Sequence, residues 1–185
     1  MTEYSERLLD APGAVRRPLG LRIVGIILAP FLALLFQVYV TRLVSVFSYP
    51  FLSYLELPLL MVVYFALVRR EPVSAVFYGA AVGLFQDALS APGTHPIGMY
   101  GIVKTLVGYF AASVSQRFDV ENPILIAILT FFFYFFHEFF YWVLTRALLG
   151  EMTNFDTQQK IVFGLLNAAV SLPLFHVLDK MKVTA

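Results

Sequence analysis

Asp87 and Lys104 have the strongest claim to chemistry in this sequence, because each is a charge set inside an apolar run. They lie in residues 75–109, AVFYGAAVGLFQDALSAPGTHPIGMYGIVKTLVGY, which read as two helices joined by a Pro/Gly turn. Ala75, Gly79, Gly83 and Asp87 recur every four residues and share one helix face. Gly101, Lys104 and Gly108 follow helical spacing on the next segment. Each charge thus falls on a stripe of small residues, where a second helix can approach closely. A charge near a bilayer centre costs about 2.5–3.5 kcal/mol unless it is paired or hydrated. The expected arrangement is an Asp87–Lys104 pair acting as a latch between helices, as the floor of a binding site or as part of a partner interface.

Other reactive patterns fail on inspection. His137–Glu138 opens as the zinc motif H-E-x-x-H does, but Tyr141 stands where the second histidine ligand belongs. His95 and His176 fall in an outer turn and near the other end of the bundle, so no histidine cluster is expected. The absence of cysteine removes thiol chemistry and Cys-ligated metal. No phosphate loop, nucleophile elbow or paired-carboxylate signature appears, so neither cofactor nor enzymatic reaction is expected.

The elements that hold these residues belong to a membrane. Only 14% of the 185 residues are charged, well below the quarter usual in soluble domains. A net charge of +1 leaves no basic surplus for nucleic acid. Residues 1–19 read as a polar tail. Six apolar spans follow, over about 20–40, 51–68, 73–89, 97–114, 123–148 and 161–178, making an all-α bundle from 20 to 180. The first span is too long for a signal peptide and is expected to be retained. Arg7, Arg16, Arg17, Arg22, Arg69, Arg70, Arg117, Lys180 and Lys182 collect on one side of six spans. Arg42, Arg146 and Lys160 fall on the other, so both termini are expected in the cytoplasm. A five-span reading spreads the arginines less cleanly.

Depth then follows from the helical rise. Asp87 comes out about 21 Å from the cytoplasmic edge and Lys104 about 10 Å below the outer edge, nearly the same level. Gln37, Glu56, His137, Glu138 and Asn167 fall in the same outer half. The expectation is a polar layer or shallow cavity opening outward, floored by Asp87 and Lys104. The acids Glu56, Asp87 and Glu138 against Lys104 would favour a cationic ligand if all are ionised. Phe131–Trp142, FFFYFFHEFFYW, is aromatic at every position but His137 and Glu138. Rings all round a helix cannot all face a core, so Phe132, Phe136, Phe139 and Phe140 are expected to meet lipid or a partner's transmembrane helix.

The order of features resembles the rod shape-determining protein MreD family of bacteria. The local match is Gly83-x-x-x-Asp87-x-x-Ser90 with Gly98 and Gly108–Tyr109 downstream, and the Pro58-x-L-L-x-x-x-Tyr64 run. The resemblance implies a non-enzymatic scaffold of the lateral cell-wall synthesis machinery in the cytoplasmic membrane. Its implied direct partner is the single-span MreC, with RodA, its transpeptidase and MreB reached indirectly. It implies a fold like the six-helix substrate-binding subunit of energy-coupling-factor transporters. The second reading is therefore a small-molecule-binding membrane subunit of a vitamin-type transporter.

Overall fold

The structure, a computed structural model, describes residues 31–37, 54–90, 97–118, 122–150 and 154–184. The described residues are helical and include no strand. Residues 31–37 belong to α1; then come α2 (Leu57–Arg69), α3 (Pro72–Leu89), α4 (Met99–Ser115), α5 (Pro123–Leu149) and α6 (Thr157–Thr184). The expected tail 1–19, most of the first span, Arg42 and His95 lie outside the described residues.

Prolines set three of the helix starts. Pro58, Pro72 and Pro123 each stand in a first turn, where the missing N–H has no helical acceptor to lose. This corrects the second span: the helix begins at Leu57, not at 51, because Pro58 is tolerated only at the start. Asn122 caps α5 by accepting from the Ile124 N–H at 2.9 Å. Asp156 does the same for α6 through Gln159 N–H at 3.1 Å, so that helix begins at Thr157 rather than 161. The fourth span likewise shifts to Met99–Ser115.

α2 is the core. It packs against α3, α4, α5 and α6, and Leu59, Leu60, Val62, Val63 and Ala66 are closed to solvent. α3 and α4 form the tightest pair. A Cβ on Gly79 would strike the Lys104 carbonyl, one on Gly83 the Tyr100 carbonyl, and one on Gly108 the Ala75 carbonyl. The small-residue faces of the two helices thus meet backbone to backbone, which only hydrogen side chains permit.

α5 and α6 are long and apolar enough to cross a membrane, over Pro123–Leu149 and Thr157–Asp179. Only 22% and 28% of their most apolar windows are buried in the protein. A soluble core helix of that composition would hide most of its surface, so these faces are suited to a bilayer.

Candidate functional site

Asp87 sits in the last turn of α3 and turns its carboxylate to the start of α4. It accepts from the N–H groups of Gly98 at 3.0 Å, Tyr100 at 3.2 Å and Gly101 at 3.1 Å. α4 has no side-chain cap of its own, since Gly98 precedes it with φ at 106°. Asp87 therefore caps α4 across the turn, its charge held by free N–H groups and the positive end of the helix dipole.

Lys104, one turn further along α4, faces elsewhere. Its ammonium lies 3.6 Å from Glu56 Oε2 and 3.2 Å from His137 Nε2, and 4.7 Å from the centre of the Tyr100 ring. The expected direct Asp87–Lys104 pair is corrected: among the described residues, the ion-pair partner of Lys104 is Glu56. The reason is local. The backbone donors that open α4 hold the Asp87 oxygens at hydrogen-bond distance, while Lys104 points across the bundle toward α2 and α5.

The contacts continue outward. An ammonium donating to Nε2 leaves the His137 proton on Nδ1, which faces Glu138 Oε1 at 3.3 Å. Glu138 Oε2 pairs with Lys160 of α6. On the α2 side, Gln86 Nε2 donates to Glu56 Oε2 at 3.5 Å. The start of α2 is capped by other helices. Asn167 Oδ1 accepts from the Glu56 N–H at 2.9 Å, and Gln37 Oε1 accepts from the Leu57 N–H at 3.3 Å. Asn167 then donates to the carbonyls of Tyr54 at 3.0 Å and Phe163 at 2.9 Å.

Of the seven polar residues singled out from the sequence, Glu56, Lys104, His137 and Glu138 are joined by side-chain contacts, Gln37 and Asn167 meet the start of α2, and Asp87 stands apart at the start of α4; three more residues join them. Gln86 precedes Asp87 on the same apolar helix, a signal open to reading. Lys160 is drawn in because Asp156 starts α6 early. Tyr100 stacks on Tyr141 at 4.9 Å and on His137 at 6.0 Å, so Tyr141 packs beside the imidazole where a metal ligand would have stood. No group of metal-binding side chains forms among the described residues.

Chemically, the layer is self-neutralising. Glu56 and Glu138 are matched by Lys104 and Lys160, and Asp87 by a helix end. This removes the acidic excess expected to favour a cation. Lys104, His137 and Asn167 are wholly inaccessible and Asp87 is 6% exposed, while the side chains of Glu56 and Glu138 are 14% exposed and that of Lys160 28%, so the network is buried at its centre and reaches the surface through Glu138 and Lys160. The transporter-subunit reading gains no support from it.

The aromatic face of α5 divides. Phe132 and Phe139 are exposed, whereas Phe136 and Phe140 are half-buried, 4.4 Å apart, with Phe136 against Phe110 at 5.3 Å. Phe139 and Trp142 also pack against Phe155 from the loop before α6.

The described residues are helical, two of the helices are long and apolar enough to cross a membrane, and the buried Lys104 between helices is paired with Glu56. Residues 21–181 match the family model of the rod shape-determining protein MreD. The chain belongs to that family, and its role lies in rod-shape determination. No curated protein and no solved structure matches the chain.

Proposed function

We propose that this chain is a six-span, non-enzymatic scaffold of lateral cell-wall synthesis in the cytoplasmic membrane, and that it binds an MreC-like single-span protein. The 1–19 tail and both termini lie in the cytoplasm, and residues 20–180 form the membrane domain. RodA, its transpeptidase and MreB are reached through the direct partner.

The observation that carries this reading is that the charges of the polar layer are paired with one another or held by a helix end, even though Gln86 Oε1 is buried there without a hydrogen-bond partner. A transport or catalytic site keeps polar groups facing a substrate. Here they cap α2 and α4 and neutralise one another, leaving a largely apolar exterior as the surface offered to others. Within that exterior, the ridge of Phe132 and Phe139 is the proposed contact with the partner's single helix.

The test is a tagged pull-down from native membranes in mild detergent, with mass spectrometry of the recovered proteins. Stoichiometric recovery of an MreC-like single-span protein is expected. Recovery of paired ATPases with a transporter transmembrane subunit would overturn the reading.

A further inference from the structure

We propose that His137 is a proton-binding site whose protonation opens the contact between α4 and α5, so that acid loosens the helix carrying Phe132 and Phe139. The side of the membrane that supplies the proton, and any effect on the partner, rest on the function proposed above. The latch itself does not.

The imidazole is used on both edges. Nε2 accepts from the Lys104 ammonium of α4 at 3.2 Å, and Nδ1 donates to Glu138 Oε1 at 3.3 Å. Glu56 stands 3.6 Å from the same ammonium, beyond ordinary hydrogen-bond length. Among the described residues, His137 is therefore the nearest side-chain acceptor that Lys104 has. Neither side chain has any exposed surface. The arrangement works in one protonation state alone. A ring with its proton on Nδ1 accepts at Nε2, whereas a second proton, taken up from solvent, turns Nε2 into a donor aimed at an ammonium. One hydrogen bond is lost, and two cations then face each other where water does not screen them. Relief requires the two side chains to part, and each is anchored to its own helix.

The surrounding charges are balanced before that proton arrives. Glu56 comes from α2, Lys104 and the Tyr100 ring from α4, and Lys160 from α6 behind Glu138. On α5 itself, Glu138 follows the imidazole, and Tyr134 and Tyr141 stand one turn to either side of it. α3 adds Gln86, which donates to Glu56, and Asp87, whose carboxylate is held by N–H groups at the start of α4. Each of the two glutamates already has a lysine, so an imidazolium leaves one positive charge in excess. The way in for the proton is the surface end of the network, where the Glu138 and Lys160 side chains are 14% and 28% exposed. A histidine that only fills a core has no such consequence. Here the bond that fastens α4 to α5 is the one that acid removes.

The chain has one tryptophan, and Trp142 stands on α5 beyond His137. The test is a pH titration of its emission in the full chain, purified in uncharged detergent, with unfolding midpoints taken across the same range. As the pH falls from about 8 to about 5.5, through the ordinary histidine range, the emission is expected to shift in one step. The midpoint should fall by about 4 °C, because a proton taken up as the latch opens favours the open form. His137→Gln still offers Lys104 an amide oxygen and cannot titrate, so it should abolish both changes. The chain has three histidines, so His95→Gln/His176→Gln leaves His137 alone and should keep both changes. In that variant the one imidazole signal in the NMR spectrum belongs to His137 and should titrate together with the emission, a result that stands even where His137→Gln fails to fold. A flat emission in the unaltered chain, a response that survives in His137→Gln, or an imidazole signal that stays constant through the step would overturn the proposal. No partner is present in these measurements, so they and the pull-down fail separately.

Discussion

Lys104 is inaccessible on every side, and its ion-pair partner decides what its removal does. Glu56→Ala leaves a buried ammonium with the imidazole and a ring face for company, and should cost about 3–5 kcal/mol. Adding Lys104→Ala should recover part of that loss. Asp87→Ala uncaps α4 and should cost about 1–3 kcal/mol, with little recovery from Lys104→Ala. Thermal unfolding of the two double-mutant cycles checks this: strong coupling for Asp87–Lys104 and none for Glu56–Lys104 would reverse the assignment. Asn167→Asp should also destabilise, since a carboxylate can still accept from the Glu56 N–H but cannot donate to the Tyr54 and Phe163 carbonyls and sets a negative charge against them; an unchanged midpoint would show that the two donated bonds contribute nothing. Membership of this layer was legible in the sequence, because Gln37, Glu56, His137, Glu138 and Asn167 each interrupt an apolar run. The pairing was not. It depends on how far each helix is rotated and where it begins, and helical depth alone put Asp87 level with Lys104 without saying which way either one points.

The α3–α4 hairpin and the α5–α6 pair meet their neighbours differently. On α3, a methyl at Gly79 or Gly83 meets α4 backbone, which cannot move without moving the helix. On α6, a methyl at Gly164 meets the Phe131 ring at 2.9 Å, and a ring edge can turn. Gly79→Ala and Gly83→Ala should therefore abolish folding or cost upward of about 3 kcal/mol, and Gly164→Ala about 1–2 kcal/mol. Expression and thermal unfolding in detergent read the order; a milder effect at Gly79 than at Gly164 would contradict the backbone contact. The four-residue stripe through Ala75, Gly79 and Gly83 was readable before any coordinates. The late start of α2 was readable too, in Pro58, but hydropathy hid it: residues 51–55 are as apolar as the helix that follows.

Across the described residues, Asp87 and Lys104 are buried while Arg69, Arg70 and Arg117 stand exposed at helix ends, and large apolar side chains line much of the surface between them. The proposed partner surface is that apolar exterior, where α5 offers the exposed Phe132 and Phe139. Phe132→Leu/Phe139→Leu should lower recovery of the single-span partner severalfold while leaving the unfolding midpoint within about 1 °C. Undiminished recovery would mean these rings face lipid only. The family was legible from length, span pattern and a few spaced residues. The network was not, because the bonds that Asn167 makes to Glu56 and Tyr54 join residues more than a hundred positions apart. That separation reaches into biogenesis. Glu56 and Asn167 are 111 residues apart, so α2 leaves the ribosome long before the amide that caps it exists. Lys104 likewise precedes both His137 and its neighbour Glu138. Until α6 is made, Gln37 can already accept from the Leu57 N–H, but the Glu56 N–H lacks its acceptor, which leaves the start of α2 half-capped. A chain cut short before Asn167 should therefore be degraded rather than accumulate, which ties the completeness of the protein to its survival.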